Sequence, residues 1–146
     1  ETPPTLSEAV SLCLSGGAVP LIEHKSGTAE AYAKVLTELD VVEQVIVQSF
    51  NWKFIKEIRD LLPRVKIGAL GKEQLHSRKE ILLKLKPDWV GWSDRDIKRG
   101  DIDWLKENGF HIAIWTVNDP RRAKYLIDCK VDKIITDRPK FIEEKL

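Results

Sequence analysis

The chain has 146 residues, with 24 Lys+Arg against 23 Asp+Glu and a formal net charge of +1. That length suits one domain, and the even charge leaves no electrostatic footprint for nucleic acid or an anionic membrane. With 42% hydrophobic and 32% charged residues the chain is too apolar to be disordered, and no apolar run approaches the roughly 20 residues of a membrane-spanning helix.

The predicted elements alternate with a short, steady period. A helix over Leu6–Cys13 precedes the first strand, Val19–Lys25. A helix over Thr28–Leu39 follows, with Ala31, Val35, Leu36 and Leu39 at helical spacing. The second strand is Gln44–Phe50, and its helix runs over Trp52–Leu62, opened by Asn51 as a cap and closed by Pro63. Val65–Leu70 is the third strand, followed by a helix over Glu73–Leu85. Asp88–Trp92 is the fourth, with a helix over Asp96–Asn108. Phe110–Val117 is the fifth, and Asn118-Asp119-Pro120 supplies a cap and a proline for the next helix. Lys133–Thr136 is the sixth, and Asp137-Arg138-Pro139 opens the last helix. The strands are short, β-branched and apolar on both faces, as in a buried parallel sheet.

Two α/β folds fit this order. A doubly wound open sheet uses six strands as they stand. An eight-stranded barrel needs two further units. No Gly-rich turn follows the first strand, which argues against dinucleotide or Walker-type phosphate binding. Two cysteines, Cys13 and Cys129, make neither a disulfide framework nor a metal knuckle. The chain begins with Glu1 and contains no Met, which reads as the tail of something longer.

In both folds the functional groups gather at the carboxyl ends of the strands. Side chains alternate along a strand, so Glu23 and Lys25 share one face and His24 takes the other. A carboxylate beside an ammonium reads as a site for a divalent metal and a phosphate, or as an internal ion pair. His24, turned toward the helix layer, reads as a structural histidine. Gln48, Ser49, Phe50 and Asn51 close the second strand, where they orient a substrate or cap the next helix. Trp115 at the end of the fifth strand is either the wall of a substrate site or a rim aromatic. Asp137 caps the last helix in preference to reaching a site. His76 and His111 lack a second histidine at ligand spacing, which makes zinc improbable.

These strand ends resemble the glycerophosphodiester phosphodiesterases. Pro4-Thr5-Leu6-Ser7-Glu8 looks like the P-T-L-x-E segment of that family. Leu21-Ile22-Glu23-His24-Lys25 is similar to its I-E-x-K strand, and Val45-Ile46-Val47-Gln48-Ser49-Phe50 to its V-x-x-x-S-F strand. Ile67-Gly68-Ala69-Leu70 and Trp115-Thr116-Val117-Asn118 follow in family order. Val131-Asp132-Lys133-Ile134-Ile135-Thr136-Asp137-Arg138-Pro139 resembles the closing G-V-D-G-I-I-T-D-x-P. The resemblance covers almost the whole chain. It implies a (β/α)8 TIM barrel of the phosphodiesterase type, present here as six of eight units, with residues 1–146 one domain from its C-terminal portion.

The resemblance also implies metal-dependent hydrolysis of glycerophosphodiesters to glycerol 3-phosphate and an alcohol. The cofactor would be a divalent cation, Mg or Ca, with Glu23 as one of three carboxylate ligands. Lys25 would contact the phosphate and stabilise its charge. Trp115 would line the glycerol end, with Phe50 as a second candidate for that wall. The family's His-Arg-Gly, Glu-x-Asp and second catalytic histidine have no counterpart here, so the isolated chain is expected to be inactive. An N-terminal segment or a second copy would then complete the barrel. The alternative is a non-catalytic truncated barrel that binds or oligomerises. A phosphoinositide-type phospholipase, which would release cyclic phosphates, fits the motif order less well.

Overall fold

The computed structural model describes residues 2–146. Six strands, β1 (Leu21–Glu23), β2 (Ile46–Ser49), β3 (Lys66–Gly71), β4 (Trp89–Ser93), β5 (His111–Trp115) and β6 (Lys133–Ile134), run in chain order within one sheet, and the pairs β1–β2, β4–β5 and β5–β6 are parallel. The chain divides into two compact units, Glu1–Gly68 and Ala69–Leu146, with the boundary inside the third strand.

The first unit opens with α1 (Leu6–Ser15), fixed by a capping box. The Glu8 N–H donates to Thr5 Oγ1 at 3.3 Å, and the Thr5 N–H donates to Glu8 Oε2 at 2.7 Å. β1 (Leu21–Glu23) is shorter than the predicted strand. α2 (Ala29–Glu38) is capped by the Thr28 hydroxyl, which accepts from the Ala31 N–H. A short 3₁₀ turn over Val42–Gln44 leads to β2 (Ile46–Ser49). α3 (Trp52–Leu61) begins where Asn51 Oδ1 accepts from the Phe54 N–H at 3.2 Å, as its sequence implies. β3 (Lys66–Gly71) follows, and the unit ends within it at Gly68. Ile22, Val47 and Ile67 on one sheet face are buried, as are Leu36, Ile55 and Ile58 on the helices. Burying each such side chain contributes roughly 1.5–3 kcal/mol.

The second unit first departs from the predicted pattern after β3. A helix from Glu73 was expected, but a 3₁₀ turn over Leu75–Arg78 comes first and α4 spans only Lys79–Leu85. The reason lies in the backbone of Glu73. Its carbonyl accepts the Trp92 indole N–H at 3.0 Å, its N–H serves the Asp96 carboxylate, and its φ is +67°. Both polar groups are spent on partners about 20 residues away, so the helix starts later.

β4 (Trp89–Ser93), α5 (Arg99–Glu107), β5 (His111–Trp115), α6 (Pro120–Asp128), β6 (Lys133–Ile134) and α7 (Pro139–Glu143) complete the unit. Asp119 caps α6, with Pro120 at its first turn. Val90, Trp92, Ile112 and Ile114 share one sheet face and are buried with Ile102, Leu105 and Leu126 from the helices. The strands are not apolar on both faces. The other face carries half-buried Trp89 and exposed His111 and Lys133, with Trp89 and His111 in register and stacked at 5.0 Å.

Candidate functional site

In the first unit the candidate residues gather at the carboxyl end of β1. Glu23 is its last residue, and two positions on, Lys25 returns to the same side of the chain. Lys25 Nζ lies 2.5 Å from Glu23 Oε1. The Lys25 side chain is 75% exposed and that of Glu23 31%. An ion pair this open contributes about 0–1 kcal/mol, so the ammonium gives up little by turning from Glu23 to an incoming anion.

His24 points the other way and is held structurally. Its ring stacks on Phe54 of α3 at 3.6 Å and meets the edge of Tyr32 of α2 at 5.5 Å. Its Nε2 lies 3.0 Å from the Gly27 carbonyl, and its Nδ1 lies 3.2 Å from Ser49 Oγ. A carbonyl only accepts, so Nε2 carries the hydrogen and, in the neutral ring, Nδ1 accepts the Ser49 hydroxyl. Ser49 Oγ in turn accepts the Asn51 N–H at 2.9 Å.

The end of β2 therefore sorts itself by face. Ser49 holds His24, and Asn51 caps α3. Phe50 is 46% exposed just beyond the strand. Gln48 is the register partner of Glu23.

Among the described residues, no group of three or more His, Cys, Asp and Glu could hold a metal ion. Hard divalent cations take six or more oxygen ligands. Glu23 alone does not meet that demand, so the donors of this chain do not make a complete cation site.

In the second unit a cleft of about 580 Å³ opens at the carboxyl ends of its strands. Lys72 after β3, Ser93 and Asp94 from β4, and Trp115 from β5 line it, with Asn118 and Asp137 on the loops beyond. Trp115 thus lines a cleft. Its carbonyl accepts the Asp94 N–H at 2.6 Å, while the Asp94 carboxylate pairs with Arg122 Nε at 2.7 Å. Asp96, also in the cleft, has its carboxyl held below the ordinary range. The Glu73 N–H contributes most, then the Ser93 hydroxyl, with Arg95 and Lys72 adding charge.

Asp137 does not cap the last helix, contrary to the sequence expectation. α7 has no side-chain cap. Instead Asp137 Oδ2 accepts the Asn118 amide at 2.9 Å, while Asn118 Oδ1 accepts the Asp137 N–H at 3.0 Å and the Thr136 hydroxyl at 2.9 Å. Asn118, lying after β5, outcompetes the local cap because it satisfies three groups at once. The sequence reading did not single out Lys72, Asp94 or Asp96. Their only signal was position, directly beyond the third and fourth strands.

Neither His76 nor His111 lines this cleft. His111 pairs with Asp132 at 3.4 Å at the start of β5, and His76 lies in a 3₁₀ turn.

The glycerophosphoryl diester phosphodiesterase family model matches residues 8–141. The chain belongs to this family. A glycerophosphodiester phosphodiesterase of Caldanaerobacter subterraneus subsp. tengcongensis is 29% identical over 142 residues, covering 93% of this chain and 58% of that protein. Among solved structures, a phosphodiesterase of Oleispira antarctica in complex with the product sn-glycerol-3-phosphate matches with a TM-score of 0.85. It is 21% identical and covers 97% of this chain and 60% of that one. A glycerophosphodiester phosphodiesterase of Parabacteroides distasonis matches with a TM-score of 0.79 at 23% identity, over 97% of this chain and 63% of that one. The chain thus shares the α/β fold of the family's TIM barrels through six consecutive strand–helix units, and spans little more than half the length of these relatives. Among the described residues, no helix is long and apolar enough to cross a membrane.

Proposed function

We propose that residues 1–146 act as one domain, the C-terminal portion of a glycerophosphodiester phosphodiesterase. In its complete form the barrel would hydrolyse glycerophosphodiesters to glycerol 3-phosphate and an alcohol. The observation that carries the reading is the Glu23–Lys25 pair, open to solvent at the carboxyl end of β1 within a family match over residues 8–141. The names of the relatives and the product bound in the Oleispira antarctica enzyme support the substrate class.

Each residue has a role in this account. Lys25 contacts the phosphate and neutralises the charge that builds on it as the ester bond breaks. Glu23 would be one oxygen ligand of a divalent cation, Mg or Ca. Trp115 and Phe50 give apolar walls for the glycerol end. No acid–base step is assigned to this chain's histidines. His24 is occupied on both ring nitrogens, and His111 sits at the amino end of its strand. Positioned acids and bases contribute about 10²–10⁴-fold, so the chain alone is inactive in this account.

The test is an assay for glycerol 3-phosphate release with Mg²⁺ or Ca²⁺, run on the chain alone and on the chain joined to the first two family strand–helix units. No release alone and release when joined is the expected pattern. No release from either, together with stable oligomers of the chain, would replace this reading with a non-catalytic truncated barrel.

A further inference from the structure

Gln48 is the polar residue at the end of β2 that stands in register with Glu23. It is 8% exposed, its backbone carbonyl is occupied by the His24 N–H at 2.8 Å, and its amide is not among the buried polar groups left without a partner. A primary amide at this strand end offers two N–H donors to a ligand.

Two features show where this amide stands. Gln48 is the register partner of Glu23 across the parallel β1–β2 pair, so the two side chains share a sheet face. Residue 68 on β3 is a glycine whose absent Cβ would lie 2.9 Å from Gln48 Cβ and 3.6 Å from its Oε1. Any side chain at 68 would displace Gln48, so the glycine makes room for it beside Glu23.

We propose that the Gln48 amide is a ligand-contacting group that donates an N–H to the anionic oxygens of the phosphate ester neutralised by Lys25. This rests on the reading of Glu23 and Lys25 as a phosphodiester site. The chemistry suits the place: an amide adds a donor without adding charge. It therefore assists an anion without competing for the Glu23 carboxylate, as a second cation beside it would.

The probe is sn-glycerol 3-phosphate, titrated calorimetrically into the native chain and into Gln48→Leu and Lys25→Ala, with a melting curve for each. Leucine keeps the bulk and removes every hydrogen bond. The expected result is binding by the native chain that weakens roughly tenfold or more in Gln48→Leu, with a melting temperature close to native because the bulk is kept. Native-like affinity in Gln48→Leu while Lys25→Ala binds poorly overturns the Gln48 inference alone. A lowered melting temperature with unchanged affinity does so too, by making Gln48 a packing residue. No binding by the native chain, with Lys25→Ala indistinguishable from it, removes the parent reading and this inference together.

Discussion

Gly71 has no side chain where the Trp92 ring lies: a Cβ at residue 71 would stand 2.1 Å from Trp92 Cζ3. The ring packs against Gly71 at the end of β3, and its indole N–H reaches the Glu73 carbonyl at 3.0 Å. Trp92 is 1% exposed, so the ring has no room to withdraw. Gly71→Ala is therefore an overpacking change and should cost about 1–3 kcal/mol. Chemical denaturation measures it, and native-like stability in Gly71→Ala would show that the ring moves aside freely.

Ser49 joins two groups that otherwise lose a partner. Its hydroxyl serves His24 Nδ1 and accepts the Asn51 N–H, and the residue is 1% exposed. Ser49→Ala leaves both unsatisfied and should cost about 1–3 kcal/mol. Because His24 is a structural histidine here, His24→Gln should likewise lower the melting temperature. It should leave sn-glycerol 3-phosphate binding unchanged. Loss of that binding at native stability would place His24 in the site instead.

Asp96 gives a pH signature with a defined sign. The Glu73 N–H, and then the Ser93 hydroxyl, hold its carboxyl below the ordinary range. With a lower pKa folded than unfolded, the unfolded chain takes up more protons as acid is added. The contribution is complete above the ordinary aspartate pKa of about 3.9 and disappears as pH falls through the folded value. Asp96→Asn keeps an acceptor for the Glu73 N–H but cannot titrate. Its melting temperature should lie below native at pH 7, with the gap closing toward pH 3. A gap that stays constant across this range counts against the assignment.

The Asn118–Asp137 bridge links the loop after β5 to the loop after β6. Asn118→Ala removes an acceptor from both the Asp137 N–H and the Thr136 hydroxyl. These groups are solvent-accessible, so the expected loss is about 0.5–1.5 kcal/mol. It should be joined by faster amide exchange at Asp137, and native exchange there would show that the loop holds without the bridge.

Features written in contiguous residues were readable before any coordinates. The caps at Asn51 and Asp119, the proline at the start of α6, and the opposed faces of Glu23 and His24 all follow from local geometry, and the structure has them. Features that depend on a distant partner were not. The late start of α4 comes from Trp92 and Asp96 claiming the Glu73 backbone, which no periodicity encodes. Asp137 was misread as a cap because the competing Asn118 is 19 residues earlier. Gln48 was visible as a strand-end amide. Its burial and its place beside Glu23 emerge only once β2 lies between Glu23 and Gly68.

The central claim is that Glu23 and Lys25 form the phosphodiester end of a hydrolytic site. The most direct measurement is glycerol 3-phosphate release by the completed barrel, compared with Glu23→Gln, which keeps the shape and removes the charge. The account predicts a loss of at least about a hundredfold in turnover, with the fold intact by melting temperature. Undiminished release from Glu23→Gln would contradict it.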